Sequence, residues 1–195
     1  MLPATFRPIF AAACGAHAAD QLALAALPLT AALVLGAGPG TVGLLVAMQA
    51  GAWLVVSLPA GVWIDRFTRR GMLAGSQAIS AAALLLATLA ASFGVAPLLG
   101  PAAFLAAAGT VLFVLTATSA MPDLVGPADL PAANARVELA RAVMTLAAPI
   151  AVGWLAAGAT PTLGYALAAL AAMAGAIAAL RLPRGAPVAA AARPP

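Results

Sequence analysis

Six apolar runs, each close to the length of a membrane-spanning helix, follow one another between Pro8 and Leu180 with almost no charge inside them. They cover residues 8–35, 41–64, 71–93, 97–120, 137–158 and 162–180. A hydrocarbon core about 30 Å thick takes about 20 mostly apolar residues per helical crossing, a length that all six approach or exceed. The pattern predicts an all-α, polytopic membrane protein of six transmembrane helices in one bundle spanning residues 1–182. Three connections, "GAGPG", "SFGVAPLLGP" and "AGATPT", are turn-rich and carry no charge. Residues 183–195 are rich in Pro and Ala and are read as a disordered tail.

Composition excludes several other classes. With 65% hydrophobic and 7% charged residues, the chain cannot present the mixed charged surface of a soluble domain. The net charge of +4 does not indicate nucleic acid, because such binding gathers basic residues on one solvated face, whereas these lie at the ends of apolar runs. A single Cys14 excludes an internal disulfide, and one histidine without a second cysteine leaves no metal-ligand spacing. No metal and no cofactor are expected. The stretch "FAAACGAHA" is not read as a cleavage signal, since the apolar run before Cys14 is too short and hydrophobic sequence continues well past it.

The distribution of arginine orients the bundle. Arg7 precedes the first run; Arg66, Arg69 and Arg70 follow the second; Arg136 and Arg141 flank the start of the fifth; Arg181, Arg184 and Arg193 follow the sixth. Short cytoplasmic loops carry the Lys/Arg excess, so both termini are expected inside and the three uncharged hairpins outside, in a cell inner (plasma) membrane.

Within this apolar background Asp20 is an anomaly. It lies roughly 15 to 18 Å along the first span at 1.5 Å per residue, near the bilayer centre. An ionisable residue there is costly unless protonated or paired, and by default marks a pathway. Neighbours at three and four positions along a helix share a face, so His17, Asp20 and Gln21 form one polar stripe. The functional reading is proton exchange at Asp20; the structural one is a neutral acid that glues the bundle by hydrogen bonding. Thr116 and Ser119 on the fourth span are candidates for the same cavity, although such hydroxyls often bond their own helix carbonyls. Glu138 and Arg141 read as an ordinary pair at headgroup level, with Arg141 able to reach towards Asp20. Gly71 and Gly75 read as a small-xxx-small packing pair, and Trp63 as an interfacial belt residue. Enzymatic function is not expected: a Cys14–His17 dyad would have Asp20 as its orienting group but no oxyanion site.

The charged loop adds specificity. "GVWIDRFTRR", residues 61–70, has the form Gly-x-x-x-Asp-Arg-x-x-Arg-Arg and resembles the signature loop of the major facilitator superfamily, with Thr68 where a second glycine is usual. "ADQLALAALPL" and "MPDLVGPADLPAANA" are similar to the proton-driven branch that includes enterobactin exporters and drug:proton antiporters. "AAPIAVG" is similar to the antiporter motif of span five, retaining Pro149 and Gly153, with Arg141 upstream on the same span. The resemblance covers about residues 8–182, the N-terminal half of a twelve-helix fold in which each half is a 3+3 inverted repeat.

The resemblance implies secondary active transport, with proton-coupled export of a small organic solute, a drug or a siderophore-like compound as the expected activity. It also implies a gating role for the loop, carried by Asp65 with Arg66 and Arg70 as partners, Gly61 permitting close helix approach, and Arg69 and Arg70 facing anionic lipid. The implied partners are the bilayer, a small-molecule substrate, protons, and either a second six-helix half or a second copy. A non-transporting scaffold stands as the alternative.

Overall fold

The computed structural model describes residues 2–183, so the expected tail lies outside the described residues from position 184 onward, with Arg184 and Arg193. Six helices and no strand are present among the described residues: α1 Phe6–Leu33, α2 Pro39–Arg66, α3 Arg69–Ser92, α4 Ala96–Val125, α5 Leu130–Ala157 and α6 Leu163–Ala179. Five are long and apolar enough to cross a membrane, and the 17 residues of α6 are fewer. At 1.5 Å per residue α6 measures about 26 Å, at the short end of spanning lengths.

Two helices extend further at the arginine-bearing end than the apolar pattern suggests. α4 continues to Val125, where Gly126 at φ +75° ends it, and α5 begins at Leu130 rather than near Val137. Pro131 explains the second difference. It stands in the first turn of α5, where its missing N–H would have had no partner, and so starts the helix instead of interrupting it. The α2–α3 connection is tight, and the Thr68 hydroxyl caps α3 by accepting the Gly71 N–H at 3.2 Å.

The principal pairings are α1 with α6, α3 with α4, α3 with α6, α2 with α4 and α1 with α5. Exchanging α1, α2, α3 with α4, α5, α6 converts this set into itself, which is the contact pattern of two three-helix repeats related by a pseudo-two-fold axis. Helices in lipid lack a hydrophobic drive towards one another and associate through close packing of small residues. A Cβ on Gly15 of α1 would stand 2.6 Å from the Ala171 carbonyl oxygen and 2.8 Å from Gly175 Cα on α6. A Cβ on Gly109 of α4 would stand 2.5 Å from the Ser76 carbonyl oxygen on α3 and would collide with the Ser80 hydroxyl. Those glycines carry the close approaches. Gly61 and Gly75 meet no atom within 4 Å, and Gly71 instead leaves room for the Thr68 cap. Within the described residues, then, Gly71 and Gly75 form no packing pair and Gly61 makes no close helix approach; all three face outward from the bundle.

α2 and α5 lie at the periphery. α5 buries only Ala133, Ala148 and Val152, and leaves Leu146 73% and Trp154 80% exposed. α2 leaves Leu54 76% and Leu58 82% exposed. Pro149 and Gly153 of the span-five motif are also on the exposed side of α5, with nothing within 4 Å of the position a Gly153 Cβ would take.

Candidate functional site

A cavity of about 510 Å³ lies between α1, α4 and α5 and is bordered on α2 by Trp53. α1 contributes His17, Asp20 and Gln21, the polar stripe anticipated from helical spacing. α5 contributes Asn134, Glu138 and Arg141. The wall from α4 is formed by Thr110, Phe113, Val114, Ala117, Thr118 and Met121, a run at intervals of three and four that is one face of a helix.

That face decides the fate of two candidates. Thr116 and Ser119 lie off it: Thr116 is fully buried and donates to the Leu112 carbonyl at 2.6 Å, and Ser119 donates to the Thr116 carbonyl at 2.9 Å. Both hydroxyls are spent on their own helix, and Thr110 and Thr118 take the cavity positions expected of them. Spacing of three between Thr116 and Ser119 was compatible with a shared face, but nothing in the local sequence said which face of α4 turned inward.

Because α5 starts at Leu130, Glu138 and Arg141 stand in its third and fourth turns rather than in its first turns as expected. Arg141 is the twelfth residue of α5, about 16 Å along its axis, and lines the same cavity as Asp20. Its Nε donates to Glu138 Oε2 at 2.8 Å and its Nη2 to the same oxygen at 2.7 Å. The two charges thus compensate each other within one helix. Asp20 has a different partner: the Gln21 amide donates to its Oδ2 at 3.1 Å, and no cation pairs with it among the described residues. A carboxyl without a counter-ion inside an apolar bundle is suited to carrying a proton, and the volume lies in the range that holds drug-sized organic molecules.

Sequence reading also missed Gln49. This α2 residue is 3% exposed, and its Oε1 is buried without a hydrogen-bond partner. It borders a second, narrower space shared with Asp20 and Thr110. An orphaned acceptor of this kind costs about 1–3 kcal/mol. A glutamine inside an apolar run was the available signal.

At the arginine-bearing end, the α2–α3 loop joins α4 through an ion pair between Arg69 and Asp123. Arg69 is thus the arginine of the loop with a defined partner, and Asp65 makes no ion pair among the described residues. The pairing of Asp65 with Arg66 or Arg70 is accordingly not formed, because Asp65 is exposed at the end of α2 while Arg69 opens α3 beside the end of α4. Thr5 ties the chain start to the same region, its hydroxyl donating to the Leu124 carbonyl at 2.7 Å.

No individually curated protein matches this chain. A family model does: the one described as Major Facilitator Superfamily matches residues 9–195. That match takes in every helix of the bundle, including the cavity and the Arg69–Asp123 contact, and the chain belongs to the Major Facilitator Superfamily of membrane transporters.

Proposed function

We propose that the chain supplies the proton- and substrate-binding half of a secondary transporter that exports a small organic solute in exchange for protons. The observation that carries this reading is Asp20, an acid without a counter-ion, at the wall of a 510 Å³ cavity between α1, α4 and α5. His17 and Gln21 complete its polar surroundings on α1. The apolar side chains left uncovered on α2 and α5 support a covering partner with six helices of its own, either a second half or a second copy. In this reading the Asp65–Arg70 loop and the Arg69–Asp123 contact lie at the cytoplasmic end, where they hold one gating state, and the transporter sits in the inner membrane.

The assembled transporter, reconstituted in vesicles loaded with a pH dye and challenged with a panel of small organic solutes, is expected to couple solute movement to proton movement. Asp20→Asn reduces that coupled flux to the level of empty vesicles; coupled flux that survives this change removes Asp20 from the mechanism. Reporter fusions at Pro39, Ala96 and Thr160 test the orientation, all three being expected outside, and an inside signal at any of them refutes it.

A further inference from the structure

Asp20 borders two spaces of opposite character. On one side is the cavity it shares with His17, Glu138 and Arg141; on the other is a crevice too narrow to admit a water molecule, where α1, α2, α3 and α4 converge. The crevice walls are apolar except for Asp20, Thr110 and Gln49. Gln49 brings the orphaned Oε1, an acceptor in need of a donor in a place from which water is excluded. Thr110 does not supply one, because its single hydroxyl proton is shared between the Ala106 carbonyl of its own helix, at 3.4 Å, and the Asp20 carboxylate. The remaining polar group of the crevice is the Asp20 carboxyl. Ionised, it only accepts; protonated, it gains one O–H to donate.

We propose that Gln49 is a positioning residue for the proton-bearing state of Asp20, its Oε1 accepting the Asp20 O–H inside the dry crevice. The inference rests on the reading of Asp20 as a proton carrier. The proton comes from water in the larger cavity and stays on Asp20 while the carboxyl is turned towards α2. Loss of the proton returns the carboxylate to the cavity side, where the Gln21 amide and water can solvate it. The titratable and charged groups facing Asp20 are His17 on α1 and the Glu138–Arg141 pair on α5; α2, α3 and α4 present none to either space. Gln49 thus reads the protonation state on the side of α1 away from the substrate and passes it to α2, a peripheral helix.

The test is infrared difference spectroscopy of the full chain in lipid vesicles, titrated between acid and neutral pH. The carboxylic acid C=O band that disappears in Asp20→Asn belongs to Asp20. In Gln49→Leu, and equally in Gln49→Met should the leucine variant not assemble, that band is expected to shift to higher wavenumber, because the acid has lost its acceptor. Gln77→Met, which removes another buried amide with no partner, is expected to leave it in place. An Asp20 band unmoved by both Gln49 variants, or moved as far by Gln77→Met, overturns the proposal. Absence of any Asp20 band at acid pH overturns it as well. These outcomes are separate from flux: a band that shifts as expected in a protein showing no coupled transport leaves the Gln49 contact standing and removes only the exporter reading.

Discussion

Helices α1 and α4 hold the same place in their respective repeats, and they differ in what that place is used for. Each crosses its partner from the other repeat at a glycine, Gly15 against α6 and Gly109 against α3. Each also brings its fifteenth residue to both the cavity and the crevice, Asp20 counting from Phe6 and Thr110 counting from Ala96. The packing device is duplicated while the acid is not. Close helix contact in lipid asks only for a small residue at the crossing, a demand that many sequences satisfy twice. An intramembrane carboxyl is expensive wherever it stands, and one copy suffices to carry a proton.

The largest expected effect comes from trying to make the chemistry as symmetric as the packing. Exchanging the two residues, Asp20→Thr with Thr110→Asp, keeps an acid bordering both spaces but moves it to the other repeat. Coupled flux of the assembled transporter is expected to stay at the level of empty vesicles, because His17 and Gln21 flank only the α1 position. Recovery of flux in the exchanged variant would mean that the two repeats are chemically equivalent and that the α1 surroundings of Asp20 are dispensable.

A smaller effect tests the shared half of the comparison. Gly15→Ala and Gly109→Ala each place a methyl group against backbone of the facing helix, so both are expected to destabilise the bundle by about 1–3 kcal/mol, as overpacking does elsewhere. Gly109→Ala also disturbs Ser80, whose hydroxyl donates to the Ala106 carbonyl at 2.9 Å across the α3–α4 crossing. Denaturant unfolding in a mild detergent measures both. Similar losses sustain the equivalence of the crossings. A loss confined to one of them would make the repeat a likeness of contacts without a likeness of energetics. Gly61→Ala, which meets open space in the interior of α2, serves as the reference and is expected to raise stability by about 0.5–1 kcal/mol, the helix-propensity gain that the two crossing variants must overcome.

The sequence made the helices legible because each is a long apolar run with its charges at one end. It did not make the repeat legible, since a crossing built from Gly, Ala and Ser leaves no pattern that distinguishes it from any other alanine-rich stretch. The same limit applied to the site. His17, Asp20 and Gln21 stood out because they are polar within one apolar helix, and all three line the cavity. Thr116 and Ser119 are polar residues of α4 that composition alone identifies, and only the rotation of the helix turns Thr110 and Thr118 to the cavity instead. The apolar run beginning at residue 137 places Glu138 and Arg141 in the first turns of the span, whereas Pro131, in the first turn of α5, lets the helix begin seven residues earlier at Leu130. The loop arginines were legible as a cluster, but the partner of Arg69 is 54 positions away in the sequence, at Asp123, and required the fold.

The smallest expected effect concerns that pair, which belongs to the second repeat as much as to the first. It joins the start of α3 to the end of α4, and the Arg69 side chain is 27% exposed while that of Asp123 is 65% exposed. A contact so open to solvent contributes about 0–1 kcal/mol to stability, so Arg69→Ala is expected to lower unfolding stability by no more than that. Its consequence should appear instead in the distribution between gating states, where a difference of that size changes a population ratio by up to about fivefold. Arg70→Ala, which removes the same charge from the loop without breaking the pair, is the control. Accessibility of a cysteine introduced at Thr118 on the cavity wall, in a Cys14→Ser background, gives the readout in the assembled transporter. Arg69→Ala is expected to change its labelling rate more than Arg70→Ala does, and the reversed pair Arg69→Asp with Asp123→Arg to restore it. Equal rates in the two single variants would reduce the whole loop to a positive anchor at the membrane surface and leave Asp123 without a role in joining the repeats.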